Sequence, residues 1–156
     1  MDLIHFSVFP SSLGSIILVS RNKKLIRLDV SKESELRISK TLSAAYPEAV
    51  KSVIPFKETW ILLDRYLKGE RVDFNTDVDI SALNDFTRKV LLKTRQIPYG
   101  QVRSYLWVAK QIGYYNAARA VGQALKRNPI PLIIPCHRVI REDGSMGGFS
   151  LEGVSK

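Results

Sequence analysis

Thiol is nearly absent from this chain. Cys136 is the only cysteine in 156 residues. That excludes an intrachain disulfide and a cysteine-rich structural zinc site, which draws on several nitrogen and sulfur ligands. Histidine is almost as scarce, with only His5 and His137, so no metal site is expected. No apolar run is long enough to cross a bilayer. The opening MDLIHFSVFPSSLG lacks the basic start and long apolar stretch of a signal peptide. The expectation is a reduced, cytoplasmic protein with no membrane partner, nucleoid-associated if its source is prokaryotic. Acid is scarce in one half only. Residues 81–156 hold 12 Lys/Arg against 4 Asp/Glu, while residues 1–80 hold 12 against 11. The net charge of +9 therefore sits almost wholly in the second half. Such a field suits a polyanion, usually nucleic acid, although a generally basic surface has the same composition.

Apolar content is 45% and charged content 25%, ordinary for a globular chain that buries a real core. Residues 3–9, 15–20 and 24–30 are short and rich in Ile, Val, Leu and Phe, and the turn signals PSSLG and RNKK separate them. They predict a three-stranded antiparallel meander. Helices are predicted over 32–46 and 56–68, the second stopped by Gly69. Residues 70–81 are polar, without a strong period, and read as a link. Helix signals then dominate. The fold class expected is a small α/β domain over 1–75, followed by a mostly α domain over 76–156.

The second domain carries a helix-turn-helix. Ser104 is the expected N-cap of a helix running to Ile112, Gly113 ends it, and Asn116 is the expected N-cap of the next. At 100° per residue, Ala117, Ala120, Val121, Ala124 and Leu125 of NAARAVGQALKR face inward. Arg119, Gln123 and Lys126 fall roughly opposite. Ala118 and Gly122 make a strip with almost no side chain, which lets a backbone approach another surface closely. A DNA groove is one such surface and a second protein helix is another.

Cys136 ends an apolar run within PLIIPCHRVIR. A lone buried cysteine is usually inert packing. Its neighbours open a second reading, because His137 could take the thiol proton, directly or through water, and Arg138 would favour the thiolate. Adjacent side chains on a strand point to opposite faces, so the pair needs the irregular backbone that Pro135 introduces. No orienting carboxylate is evident beyond Glu142 and Asp143, which read as part of a turn.

IPCHRVI resembles the active-site signature of the O6-alkylguanine-DNA alkyltransferases. IPYGQVRSY, ARAVGQAL, RNPIPLIIPCHRVI and GGFS follow in that family's order and spacing, so the resemblance covers most of residues 80–156. It implies repair of double-stranded DNA containing O6-alkylguanine. The base is flipped out, since an atom inside the stack cannot be reached, and the alkyl group moves irreversibly and stoichiometrically onto Cys136. No cofactor is implied, and the protein is expected to act as a monomer. The helix-turn-helix enters the minor groove, which offers little sequence readout.

By the same resemblance, Cys136 is the nucleophile and His137 the base acting through water. Asn128 ties the turn around the site, and Tyr105 rotates the nucleotide and assists the leaving guanine. Arg119 fills the gap left by the base. Ala118, Gly122, Gln123, Lys126, Ser104 and Arg103 face DNA. Backbone carbonyls of Cys136 and Val139 read the guanine amino group, and Ser150 faces its oxygen. Pro131, Met146, Gly147 and Phe149 line the pocket.

Two departures stand out. Phe149 replaces the family's usual tyrosine, so any hydrogen bond through that hydroxyl is lost. The family continues past GVSK into a helix bearing a glutamate that polarises the histidine, whereas the sequence given stops at Lys156. The expectation is a truncated chain or a relay without its third member, with binding surviving better than transfer. The alternatives are a non-reacting alkylguanine-binding protein of the alkyltransferase-like type, against which Cys136 argues, a DNA-binding regulator, and a Cys-His hydrolase.

Overall fold

The structure, a computed structural model, describes residues 2–141. They form two compact units that meet in sequence between Asp79 and Ile80. The stretch from 142 onward, which includes Met146, Gly147, Phe149 and Ser150, lies outside the described residues.

The first unit is built on the predicted meander: β1 (Ile4–Ser11), β2 (Gly14–Arg21) and β3 (Lys24–Ser31), paired antiparallel. Asn22 and Lys23 join β2 to β3 with φ of 51° and 72°, the paired left-handed conformation of a type I′ hairpin turn. β2 is buried continuously from Ile16 to Ser20, as a central strand covered on both faces is. The two faces separate by parity. Phe6, Ile17 and Val19 pack with Ile38 and Leu42 of helix α1 (Glu35–Ala45), which Ser34 caps by accepting from the Arg37 amide at 3.3 Å. On the other face, Phe9 stacks at 4.6 Å on Trp60 of helix α2 (Lys57–Leu67).

Two features of this unit differ from the sequence reading. A two-residue strand, β4 (Val50–Lys51), runs parallel to β1 and gives the order β3-β2-β1-β4. Two residues are too short to show a period of two. The expected link over 70–81 is partly tied to the sheet, because Leu25 donates to Asp77 and accepts from Asp79, both at 2.9 Å. Backbone pairing of this kind uses no side-chain pattern.

The second unit packs α3 (Asp85–Arg95), α4 (Tyr105–Gln111) and α5 (Ala118–Lys126) around Val90, Leu91, Val108, Val121 and Ala124. Asn84 caps α3 by accepting from the Thr87 amide at 2.8 Å, and Ser104 caps α4 as predicted. At the end of α4, Gly113 (φ 84°) donates to Lys110 while Tyr114 donates to Ala109. These paired bonds form a Schellman motif, which favours a residue without a Cβ at this place.

The next helix corrects two expectations. Its N-cap is Ala117 with no side-chain bond, not Asn116. Asn116 falls in a turn one residue earlier, so the connection is six residues rather than one tight bend. Ala120 is exposed because it lies at the rim of the arc centred on Val121, Ala124 and Leu125. A parallel ribbon of β5 (Arg103–Ser104) and β6 (Val139–Ile140) completes the unit.

Gly14 gives a test of the meander. Its φ is +115°, and a Cβ there would stand 2.7 Å from the Ser31 carbonyl oxygen. Gly14→Ala should cost about 2 kcal/mol or more of stability in the first unit. Urea unfolding followed by Trp60 fluorescence in a Trp107→Phe background measures it, and an unchanged midpoint would refute the constraint.

Candidate functional site

Leu125 closes the last full turn of α5, and the chain then enters the loop that delivers Cys136. Asn128 organises this loop. Its side-chain oxygen accepts from the Ile130 amide at 3.0 Å, and its side-chain nitrogen donates to the Ile134 carbonyl at 2.9 Å. Within the loop, Ile134 donates to Ile130 at 2.9 Å and Leu132 sits at φ 72°, a conformation that costs a non-glycine residue about 1 kcal/mol or more. Pro131 and Leu132 to Ile134 are all buried. At Pro135, φ −81° and ψ 68° with a Cys136-to-Ile134 hydrogen bond of 2.8 Å describe an inverse γ-turn. Its sharp bend carries the chain into a 3-10 turn, Cys136–Arg138. There successive side chains diverge by about 120° rather than 180°, so Cys136 and His137 are not on opposite faces as they would be on a strand. The Val139 amide donates to the Cys136 carbonyl.

The thiol is dry. Cys136 is 2% exposed, and burial pushes its pKa up to about 11, although hydrogen bonds from Asn128 and from the Cys136 and His137 amides pull it down. Burial likewise pushes His137 down to about 4, with the Arg138 charge adding to the fall. Arg138 therefore does not do what the sequence suggested. Its guanidinium donates to the Ile97 carbonyl at 2.8 Å and lies over the Tyr99 ring at 5.7 Å. It anchors the turn and disfavours imidazolium instead of stabilising the thiolate. At neutral pH the resting pair is a neutral thiol beside a neutral imidazole.

The same unit carries a groove of about 400 Å³ lined by Tyr105, Ala118, Arg119, Gly122, Gln123, Lys126 and Arg141. α4 and α5 supply all but the last, because α5 buries Val121, Ala124 and Leu125 and so turns the opposite arc outward. The Tyr105 ring lies over Gly122, where an added Cβ would meet it at 3.6 Å. Acid is nearly absent. Among residues 80–141 the sole carboxylate is Asp85, and it pairs with Arg88 and Lys89. Ser104 and Arg103 are placed elsewhere. The Ser104 hydroxyl oxygen accepts from the Trp107 amide at 2.9 Å. Arg103 donates to Gln101 at 2.7 Å and lies over the Trp107 ring. Val139 is buried behind the 3-10 turn. Sequence reasoning missed Arg141, which looks like the first residue of the polar turn REDGS. The signal available was its place two residues past Val139, on the strand leaving the cysteine.

Known proteins similar to this chain in sequence and fold point to one family. Residues 4–80 match the family model described as 6-O-methylguanine DNA methyltransferase, ribonuclease-like domain. Residues 85–156 match 6-O-methylguanine DNA methyltransferase, DNA binding domain. The chain is 34% identical to a methylated-DNA–protein-cysteine methyltransferase of Sulfolobus acidocaldarius, covering 95% of this chain and 85% of that one. It is 35% identical to its counterpart in Mycobacterium tuberculosis, covering 94% and 84%. The crystal structure of Mycobacterium tuberculosis OGT in complex with DNA superposes with a TM-score of 0.79 at 32% identity, covering 93% and 83%.

The thiol and its tether are open to direct test. Alkylation of Cys136 by iodoacetamide in the folded protein should be slow at pH 7–8 and should climb toward pH about 11. Asn128→Ala should move that profile higher still and slow any reaction of the thiol by roughly 10- to 100-fold, the effect of a hydrogen bond lost from a buried ionising group. A profile with its midpoint near 8.5 in the wild-type protein would contradict the burial argument.

Proposed function

The chain belongs to the 6-O-methylguanine DNA methyltransferase family and has methylated-DNA–protein-cysteine methyltransferase activity, and from that premise we propose that it repairs O6-alkylguanine in duplex DNA in a single irreversible turnover, turning the damaged base out of the stack and taking the alkyl group onto its own Cys136. The observation that carries this reading is the presence, in one compact unit, of a dry thiol–imidazole turn and a groove whose charged lining, among the described residues, is wholly cationic. A polyanion seats in the groove, and a soft nucleophile waits where water is excluded.

In this reading α5 lies along the minor groove. Ala118 and Gly122 let its backbone approach closely, Gln123 and Lys126 meet the sugar-phosphate rails, and Arg119 enters the stack where the base has left. Tyr105 stands at the nucleotide as it turns. The extruded guanine is recognised by the Cys136 and Val139 carbonyls, with Pro131 at its side. The remaining pocket roles fall to Met146, Gly147, Phe149 and Ser150.

The Cys136 sulfur then attacks the alkyl carbon opposite the guanine oxygen. The carbon–oxygen bond breaks as the carbon–sulfur bond forms. His137 takes the thiol proton through a water, and the departing guanine receives a proton by way of the Tyr105 hydroxyl. The products are unmodified guanine and an S-alkylcysteine, and no other reactant is consumed. A thiol near 11 beside an imidazole near 4 makes a standing thiolate costly. Proton removal is therefore tied to bond breaking, which protects the thiol from stray electrophiles.

Incubation with duplex DNA carrying O6-methylguanine, followed by intact-mass measurement, tests the reading. One methyl mass should be gained, once per protein, and should be absent in Cys136→Ala. Tight binding of lesion DNA with no gain in mass would instead indicate a non-reacting alkylguanine-binding protein. The rate should also hold nearly level from pH 8 down to pH 5, because His137 keeps its basic form until the pH approaches about 4. A decline centred near pH 6.5 in single-turnover rates would show an imidazole of ordinary basicity and reject the buried base.

A further inference from the structure

We propose that Arg141 is a further positioning residue of this site, holding a backbone phosphate of the damaged DNA strand beside Tyr105 and so fixing β6, and the Cys136 turn that leads into it, against the DNA. The proposal rests on the DNA-repair reading above and deepens it at one residue. Arg141 is exposed and lines the same groove as Tyr105, Arg119 and Lys126. The ribbon explains how it comes there. β5 and β6 run parallel with Arg103 opposite Val139 and Ser104 opposite Ile140. One residue beyond Ser104 is Tyr105, the start of α4, and one residue beyond Ile140 is Arg141. The phenol and the guanidinium therefore leave the same end of one two-stranded ribbon.

The other end of β6 is the cysteine turn, closed by the Val139 amide on the Cys136 carbonyl. Four residues, His137 to Ile140, thus connect the nucleophile to a surface cation through a 3-10 turn and a strand. Among the described residues Arg141 enters no ion pair, and the sole acid of residues 80–141, Asp85, is held by Arg88 and Lys89. A guanidinium is charged at every working pH, and its planar fork matches two phosphate oxygens. A phosphate contact fixes register and orientation without reading sequence. Here the register it fixes is that of the thiol.

The test uses the full chain and the variants Arg141→Gln and Arg141→Lys. Affinity for a short fluorescent duplex is measured by anisotropy over a series of salt concentrations. Single-turnover methyl transfer is then measured from the O6-methylguanine duplex and from free O6-methylguanine base. Losing one phosphate contact should lower the slope of log affinity against log salt by about 0.9 in Arg141→Gln. Arg141→Lys, which keeps the charge, should restore it. The ratio of duplex rate to free-base rate should fall about tenfold in Arg141→Gln, the size of one charge-assisted bond, with partial recovery in Arg141→Lys. An unchanged salt slope overturns the proposal. So does an equal loss on duplex and free base, which would mark Arg141 as support for the turn alone. A wild-type protein that binds duplex but gains no methyl overturns the function proposed above and leaves the salt slope to decide Arg141. One that binds no duplex overturns both.

Discussion

One side-chain amide holds the cysteine loop in place. Asn128 satisfies the Ile130 amide and the Ile134 carbonyl at once, and these are the backbone groups that an apolar loop cannot otherwise pair. Because the two bonds close the loop internally, Ile130, Leu132, Ile133 and Ile134 can be buried without stranding polar backbone. Burial of that run in turn excludes water from Cys136. The same amide also pulls the thiol pKa down, so one residue both builds the dry site and moderates its effect on the thiol. An aspartate would have to carry a charge into this loop, and a leucine would leave both backbone groups unpaired.

The unit joins two environments of opposite character. Behind the 3-10 turn, burial suppresses charge on both titratable groups, leaving thiol and imidazole neutral. Across α5, exposed Arg119 and Lys126 share a groove with Arg141 and, among the described residues, no carboxylate. A helix with a narrow buried arc allows this. Val121, Ala124 and Leu125 suffice to dock α5, and the rest of its circumference is left to polar and small residues. The long-range positive field therefore need not reach the thiol, whose state is set by dryness.

Much of this was legible beforehand because it follows from local rules. The three long strands alternate with turn residues, Ser104 is a capping residue ahead of an apolar period, and Gly113 marks a helix end whose hydrogen bonds demand it. What was not legible depends on tertiary backbone pairing or on competition between forces. β4 and the pairing of Leu25 with Asp77 and Asp79 use main-chain groups that any residue supplies. Asn116 has the chemistry of a cap, yet the chain takes one more residue to turn, and Ala117 occupies the position. Arg138 lies next to the histidine in sequence, but its long side chain finds the Ile97 carbonyl and the Tyr99 ring, so adjacency misled about its electrostatic partner. Ala120 shows the limit of a helical wheel, which assigns an angle but not the width of the covering neighbour. Arg141 was hidden because the residues after it read as a turn.

Gly122 separates the packing account of the small-residue strip from the surface account. If the strip existed only to let α5 dock tightly, a methyl group at Gly122 should collide with its neighbours. It does not: the nearest atom is the Tyr105 ring at 3.6 Å, an ordinary van der Waals distance. Glycine inside a helix also costs about 1 kcal/mol relative to alanine, so the internal energetics of this unit favour alanine on both counts. The residue is half-buried in the groove wall with the Tyr105 ring laid across it. Its smallness is therefore spent on what lies outside the protein, or on the freedom of that ring to move. Both demands belong to an outward-facing surface, and neither belongs to the core.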